Sequence, residues 1–443
     1  MESPISIVAK LLQSATARMI LIGMLTIFLL IPLAFVNELI QDRSQRQQEV
    51  VNEITAKWGE EVRVSGPVLK IPYRTYEESV SVVGGNKSPV AQRKVIVRDA
   101  YFFPETLYID ADVNTQFRSR STYDAVVYTS TMDFKGTFIP VDFSSKGIPD
   151  EDVLWEKATF VINTTNLKGI KKQVTIETNR FNASLEPVYA QRDKAQSLES
   201  TVLPKDAAKS AFSFKFSITY DGSSQLMFVP IGRTTTASVK SNWSDPKFSG
   251  HYLPAENRTI SEDGFSANWK ILHINRPFTQ QYFGDLPELS EFAFGVDFYI
   301  QADQYQQNER AAKYGFLVIG LTFLTFFLIQ TISKIRIHIF QYTMIGLALV
   351  MFYTLLISIT EHSNFSTAYL ISATAVIVLI GLYSTTIIRS QKFPLLISGS
   401  LAALYSFIFL IIRLEEYALL VGSIGLFAIL AAVMYISRKI EWT

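Results

Sequence analysis

The sequence predicts a membrane protein of six spanning α-helices, one plus five, with a large extracytoplasmic, mainly-β, sandwich-like domain. Three observations predict it. Apolar stretches long enough to cross a bilayer lie at both ends of the 443-residue chain. The residues between them carry the charge of ordinary soluble protein. That middle also alternates β-branched and aromatic residues with polar ones between turn signals.

A hydrocarbon core about 30 Å thick takes roughly 20 apolar residues in a helix. Six stretches meet that length: Met19 to Val36, Gly315 to Ile332, Ile339 to Ile359, Ala368 to Ile388, Phe393 to Ile412 and Tyr417 to Ser437. The first is longer than a signal-peptide core, and no small-x-small cleavage pattern follows it, so a retained anchor is expected. Orientation follows from basic residues in short loops. Lys10, Arg18, Lys334, Arg336, Arg389, Lys392, Arg438 and Lys439 fall on one side of a six-span path, and only Lys313 and Arg413 on the other. Both termini are therefore expected in the cytoplasm and the large domain outside. The expected organisation is 1–42 for the N-terminus and first span, 43–310 for the external domain and 311–443 for the five-span bundle.

In the external domain, Arg43 to Glu53 continues the first helix outward. Val62 to Tyr73 alternates as a strand. Ser79 to Val83 and Lys94 to Val97 flank a Gly84-Gly85-Asn86 turn, a hairpin signal. Leu107 to Asp112, Ala125 to Phe134, Ala158 to Asn163 and Val174 to Phe181 read as further strands. Ala211 to Tyr220 places Phe212, Phe214, Phe216 and Ile218 on one face, and Asp221-Gly222 is expected to turn the chain into Gln225 to Ile231. Gln191 to Lys209 reads as a polar loop, a candidate divider between two lobes.

From Arg43 to Arg310 there are 31 basic and 33 acidic residues, a difference of −2. Such a balance gives no field to recruit nucleic acid, and no polybasic lipid-binding cluster stands out. The chain has no cysteine, which excludes disulfides, thiolate nucleophiles and cysteine-held metals. Its four histidines, His251, His273, His338 and His362, have no metal-ligand spacing. There is no Gly-x-Ser-x-Gly elbow. Gly85-Asn86-Lys87-Ser88 lacks the earlier glycine of a phosphate loop and reads as a turn. No catalytic set, metal or cofactor is expected. No Asp, Glu, Lys or Arg falls in the middle of a span, which disfavours charge-coupled transport. Gln330, Thr374 and Ser406 can bond helix to helix, and Gly346, Gly381, Gly399 and Gly425 suit close packing.

Two constellations stand out at the outer ends of the spans. Asp303-Gln304-Tyr305-Gln306 fits a capping box ahead of Arg310 and Lys313, with Glu309 and Lys313 an i,i+4 pair of favourable polarity. That helix is expected to enter the second span unbroken, joining domain to bundle by a stiff rod; the plainer reading is a well-capped interfacial anchor. Glu361-His362 follows the third span and is either a pH-sensitive pair or a solvated turn. With Arg413, Glu415 and Glu416 these charges are candidates for an ionic collar coupling domain to bundle.

The chain resembles the CreD family of bacterial inner-membrane, cell-envelope proteins. The resemblance is densest from Ser241-Asn242-Trp243 onward, through Pro246, Phe248, Gly250, Leu253-Pro254, Gly264-Phe265, Ala267 and Trp269. It continues with Ala302 to Gln306, Arg310-Ala311, Lys313-Tyr314, Gln341-Tyr342, Gly346-Leu347, Leu349 to Tyr353 and Glu361-His362, and closes with Arg438 to Trp442. Gly66-Pro67 and Ile71-Pro72 match near the start, while residues from about Phe138 to Ala211 correspond weakly. The resemblance implies an inner-membrane protein with a periplasmic domain, belonging to a regulon run by a two-component system, linked to envelope integrity, stress response and colicin tolerance. It implies no catalytic residue set. The expected partners are the lipid bilayer and envelope proteins or peptidoglycan, with no nucleic acid. Three functions follow: a non-enzymatic envelope-integrity protein; a transporter or lipid-handling protein, since five spans exceed what anchoring needs; and a regulatory partner of a membrane kinase.

Overall fold

A computed structural model describes residues 15–81, 90–188, 196–298, 304–333, 335, 337–387, 392–414 and 417–438. The chain forms two compact units, Met1–Glu49 with Ala302–Thr443, and Val50–Gln301.

The first unit is helical. Helix α1 spans Ala15–Trp58, and its residues beyond Glu49 belong to the second unit. Five further apolar helices follow from residue 304: α2 (Gln304–Lys313) leading into α3 (Gly315–Ile332), then α4 (Ile339–Thr360), α5 (Phe365–Ile387), α6 (Lys392–Arg413) and α7 (Ala418–Ser437). With α2 and α3 counted together, six helices among the described residues are long and apolar enough to cross a membrane, as the hydropathy pattern predicts. The expected unbroken entry into the second span is interrupted once: Tyr314 leaves the helix with ψ near 3° and becomes the N-cap of α3.

Each helix shows which face meets protein. Within the first unit α1 buries Leu29, Leu33, Val36 and Ile40, one stripe at i, i+4, i+7 and i+11. The opposite face leaves Ile27, Phe28, Ile31 and Phe35 exposed, as lipid contact allows. Helix α7 is apolar all round and buries no residue. Between helices, the Tyr342 hydroxyl donates to Gln330 Oε1 at 2.9 Å, the helix-to-helix role expected of Gln330. Gly346, Gly381 and Gly425 lie against Leu29, Ser398 and Phe407 closely enough that a Cβ would collide. Gly399 has open space, so close packing accounts for three of the four glycines.

The second unit is a β-sandwich-like fold with sixteen strands among the described residues. In chain order they are β1 (Val62–Ser81), β2 (Val90–Phe102), β3 (Thr106–Arg120), β4 (Tyr123–Phe138), β5 (Thr159–Thr164), β6 (Thr175–Thr178), β7 (Asn182–Val188) and β8 (Gln196–Ser200). There follow β9 (Phe212–Ser223), β10 (Gln225–Phe228), β11 (Thr234–Ser241), β12 (Pro246–Gly250), β13 (Thr259–Ser261), β14 (Gly264–Leu272), β15 (Gln281–Phe283) and β16 (Phe294–Phe298). A continuous hydrogen-bonded path runs β12-β16-β10-β1-β5-β8-β7-β6-β9-β4-β3-β11-β14-β13, with β2 and β15 added beside β1. The inward residues of its two halves meet in an aromatic core. Phe134 stacks on Phe216 at 4.7 Å and meets Phe228 from the other half at 6.2 Å. Trp269 packs on Phe294 at 5.5 Å, and Tyr128 on Phe298 at 5.0 Å.

The strict alternation of Ala211 to Tyr220 forms β9, with Phe212, Phe214, Phe216 and Ile218 buried. The hairpin of β1 and β2 pairs Ser81 with Val90; the Gly84-Gly85-Asn86 turn and Gly85-Asn86-Lys87-Ser88 lie outside the described residues. Two expectations are corrected. Asp221-Gly222 does not turn the chain. Both residues continue β9 and pair with β4, because Asp221 is held by Lys171 at 2.7 Å and Thr129 at 2.7 Å, and Gly222 gives room to the Tyr128 ring. The corner comes at Ser224, in the left-handed region at φ 59°, and carries the chain across into β10, which pairs with β1 and β16 rather than with β9. Second, Gln191 to Lys209 is not a loop throughout; Gln191 to Ala195 lie outside the described residues. Its residues Gln196–Ser200 form β8 between β5 and β7.

Strands β1 and β16, the first and last of the sandwich, flank β10: Val62 is level with Leu226 and Leu226 with Val296. The chain therefore enters and leaves at the same end of two strands separated by β10, roughly 10 Å apart.

Candidate functional site

Of the predicted residues, Gln304, Tyr305 and Glu361 lie where α2 begins and α4 ends, while Lys313 and Arg413 make their contacts on their own helices. Asp303 lies outside the described residues, so the capping box is not described, and Glu415 and Glu416 lie outside too. Gln304 opens α2. With its amide turned so that Nε2 faces acceptors, it donates to the Thr360 carbonyl at 3.0 Å and the Ser363 carbonyl at 3.2 Å. These are carbonyls at the end of α4, which lack helical partners. One turn on, Asn308 is wholly buried. Its Nδ2 donates to the Gln304 carbonyl at 2.9 Å, and its Oδ1 lies 3.5 Å from the Thr360 hydroxyl. Tyr305 is buried beside them in the first turn of α2.

Glu361 caps the same end of α4, and its Oε1 lies 3.4 Å from Arg43 Nη1 on α1. Three helices thus meet through polar contacts: α2 with α4 through Gln304 and Asn308, and α4 with α1 through Glu361. Lys313 pairs with Glu309 at 2.9 Å on its own helix, as the i,i+4 spacing predicts. Arg310 is half-buried on α2. His362 is exposed, its backbone N–H bonded to the Ile359 carbonyl at 3.0 Å. Arg413 lies 5.8 Å over Phe409 of its own helix. The partners that sequence reasoning missed are Arg43, Asn308, Thr360 and Ser363. Arg43 carried one signal: it stands seven residues beyond Val36 on the buried stripe of α1.

A second feature lies between helices of this unit. Leu321, Leu324, Leu328, Leu401, Leu404, Phe407 and their neighbours on α3, α6 and α7 line a half-open apolar cavity of about 430 Å³.

In the sandwich, Arg276 is buried among aromatic rings and lies 4.5 Å over Phe278. Its guanidinium donates to Gln280 Oε1, and Gln280 Nε2 donates to the Pro104 carbonyl at 2.8 Å. Burial pushes this arginine down to about 10. Sequence alone could not separate it from a surface arginine. His251 packs edge-on against Phe292 at 5.5 Å, and His338 caps α4 by accepting from the Phe340 N–H. Among the described residues no group of three or more His, Asp or Glu side chains is placed to hold a metal ion.

The family model described as inner membrane protein CreD matches residues 14–443. A curated relative, the inner membrane protein CreD of Escherichia coli (strain K12), is 29% identical over 418 residues, covering 94% of this chain and 91% of the relative.

Proposed function

This chain belongs to the CreD family of inner membrane proteins, and from that premise we propose that it is a non-enzymatic protein supporting cell-envelope integrity under stress. The reading places residues 43–310 in the periplasm and both termini in the cytoplasm, with envelope proteins or peptidoglycan as partners of the sandwich. The observation that carries it is the sandwich itself: a large, two-signed, solvated β unit inserted between the first and second spans, where contacts with the envelope are available. Polar contacts among Gln304, Asn308, Thr360, Glu361 and Arg43 are the proposed place where the state of the outer segments is passed to the helices. A deletion strain of the parent bacterium should become sensitive to detergent or bile salt, and the full chain should restore resistance. Unchanged sensitivity would count against the reading.

Sidedness has a clean test because the chain has no native thiol. A Lys270→Cys variant should react with a membrane-impermeant maleimide in cells with a permeabilised outer membrane, and Arg438→Cys only after the inner membrane is opened. The reverse pattern inverts the topology.

A second reading, lipid handling, is favoured by the apolar cavity between α3, α6 and α7. Phospholipid retained through purification should fall when Ala403→Trp and Ala428→Trp fill it. Equal retention by the variant removes this reading.

A further inference from the structure

We propose that the open face of the β11-β3-β4-β9 sheet binds an anionic oligosaccharide; this rests on the periplasmic placement proposed above. Two adjoining hollows, of about 590 and 460 Å³, share Tyr108, Lys135, Glu177 and Lys215 in their walls. Together they follow the strands from Thr106 to Asp110, a length of roughly 13 Å.

Three features of this face point to a ligand. First, its charges oppose one another in like pairs. Asp110 sits directly across from Asp133, and Lys135 directly across from Lys215. Like charges directly opposite on neighbouring strands are destabilising. Lys215 is relieved by Glu177 at 2.9 Å, but among the described residues neither Asp110 nor Asp133 has an ion-pair partner. A sheet selected for stability alone has no use for the acid pair. Second, Tyr108 stands directly across from Lys135, in the row of the lysine pair and two residues along β3 from Asp110; its ring is 44% exposed, and Lys135 Nζ lies 5.8 Å from its centroid. Third, hydroxyls of Thr236, Ser238 and Ser217 complete the wall.

The backbone decides the class of ligand. Strands β3, β4 and β9 are each hydrogen-bonded on both sides, so no free edge exists here to take up a peptide as an added strand. Recognition must come from side chains. A phenol ring, a carboxylate pair and a row of hydroxyls suit a ligand that is itself dense in hydroxyls and carries a flat C–H face, which describes a pyranose. The carboxylates accept hydrogen bonds from vicinal hydroxyls, and Tyr108 packs on the ring's apolar face. Lys135 and Lys215 add a site for a carboxylate or phosphate on a neighbouring ring.

The test uses the full chain in nanodiscs. Binding is measured by calorimetry with peptide-free cell-wall glycan strands in one arm and lipopolysaccharide core oligosaccharide in the other. One arm should bind, which identifies the source. Tyr108→Ala should weaken that binding about fivefold. The Asp110→Asn, Asp133→Asn double variant should abolish it. Lys135→Ala with Lys215→Ala should weaken anionic glycans while leaving a neutral oligosaccharide of the same length unaffected. The thermal midpoint of the Asp110→Asn, Asp133→Asn variant should equal or exceed that of the parent, and the other two should keep the parent's circular dichroism spectrum, which excludes misfolding. Absence of binding in both arms, binding indifferent to all three variants, or preferential binding of free stem peptide overturns the proposal. If maleimide labels Lys270→Cys from outside and no glycan binds, this inference fails while the family reading stands.

Discussion

Tyr101 illustrates how a single side chain in the sandwich answers to pH. Burial, reinforced by the nearby carboxylates of Asp99, Glu199 and Asp285, pushes its phenol up to about 12. The folded chain therefore holds this proton more tightly than the unfolded chain, whose tyrosine titrates near 10. The stabilisation is complete below about pH 10 and is lost as pH rises from there towards 12. The thermal midpoint should fall over that window in the parent and fall less in Tyr101→Phe. Single residues also mark where sequence reading stopped. Asp221-Gly222 has the composition of a turn, yet Lys171 and Thr129 satisfy the Asp221 carboxylate inside the sheet. Those partners lie 50 and 92 positions away, beyond any local pattern.

At the scale of elements, periodicity was the readable signal. The spans stood out because bilayer thickness sets their length, and β9 because every second residue from Phe212 is buried. Strand β8 was not readable, since Gln196–Ser200 buries Leu198 as its one large apolar residue. Its other inward group is polar: Ser200 Oγ accepts from the Phe160 N–H at 2.8 Å. Glu199, which looks like a solvent residue, is taken up by Lys70 at 3.0 Å and Thr159 at 2.6 Å. The junction of α2 with α4 was half readable. Gln304 and Glu361 drew notice as polar residues at span ends, while Asn308 was hidden in a polar run. Asn308→Leu should remove the side-chain bond to the Gln304 carbonyl and leave the Thr360 hydroxyl only its 2.6 Å bond to the Leu356 carbonyl. A loss of about 1–3 kcal/mol is expected, read as a lower thermal midpoint of the helical unit in a fixed lipid. An unchanged midpoint would mean that the α2–α4 junction does not depend on this residue.

For the whole molecule, the architecture of spans and strands was legible, and its wiring was not. Alternation says that a strand exists; it does not say that β1 runs parallel beside β10 or that β11 runs parallel beside β3. Those pairings join residues more than a hundred positions apart, and without them a polar stretch such as Gln191 to Lys209 reads as a candidate divider although Gln196–Ser200 pair as β8. The uninterrupted path of paired strands from β12 to β13 predicts that residues 50–301 melt in one cooperative step. Calorimetry of the full chain in nanodiscs should assign a single transition to the sandwich. Two sandwich transitions, separable by a Phe160→Ala variant that shifts only one, would restore the divided domain.

The placement of β1 and β16 on either side of β10 also sets how the sandwich answers to force. Load arriving through the segments before Val62 and after Phe298 acts on the same end of both strands. The ladders to β10 are then stripped rung by rung, beginning at Val62–Leu226 and Asp297–Gln225, instead of sharing the load in shear. Optical-trap traces pulled from these two ends should show the sandwich yielding at lower force than when it is pulled from opposite ends of β4.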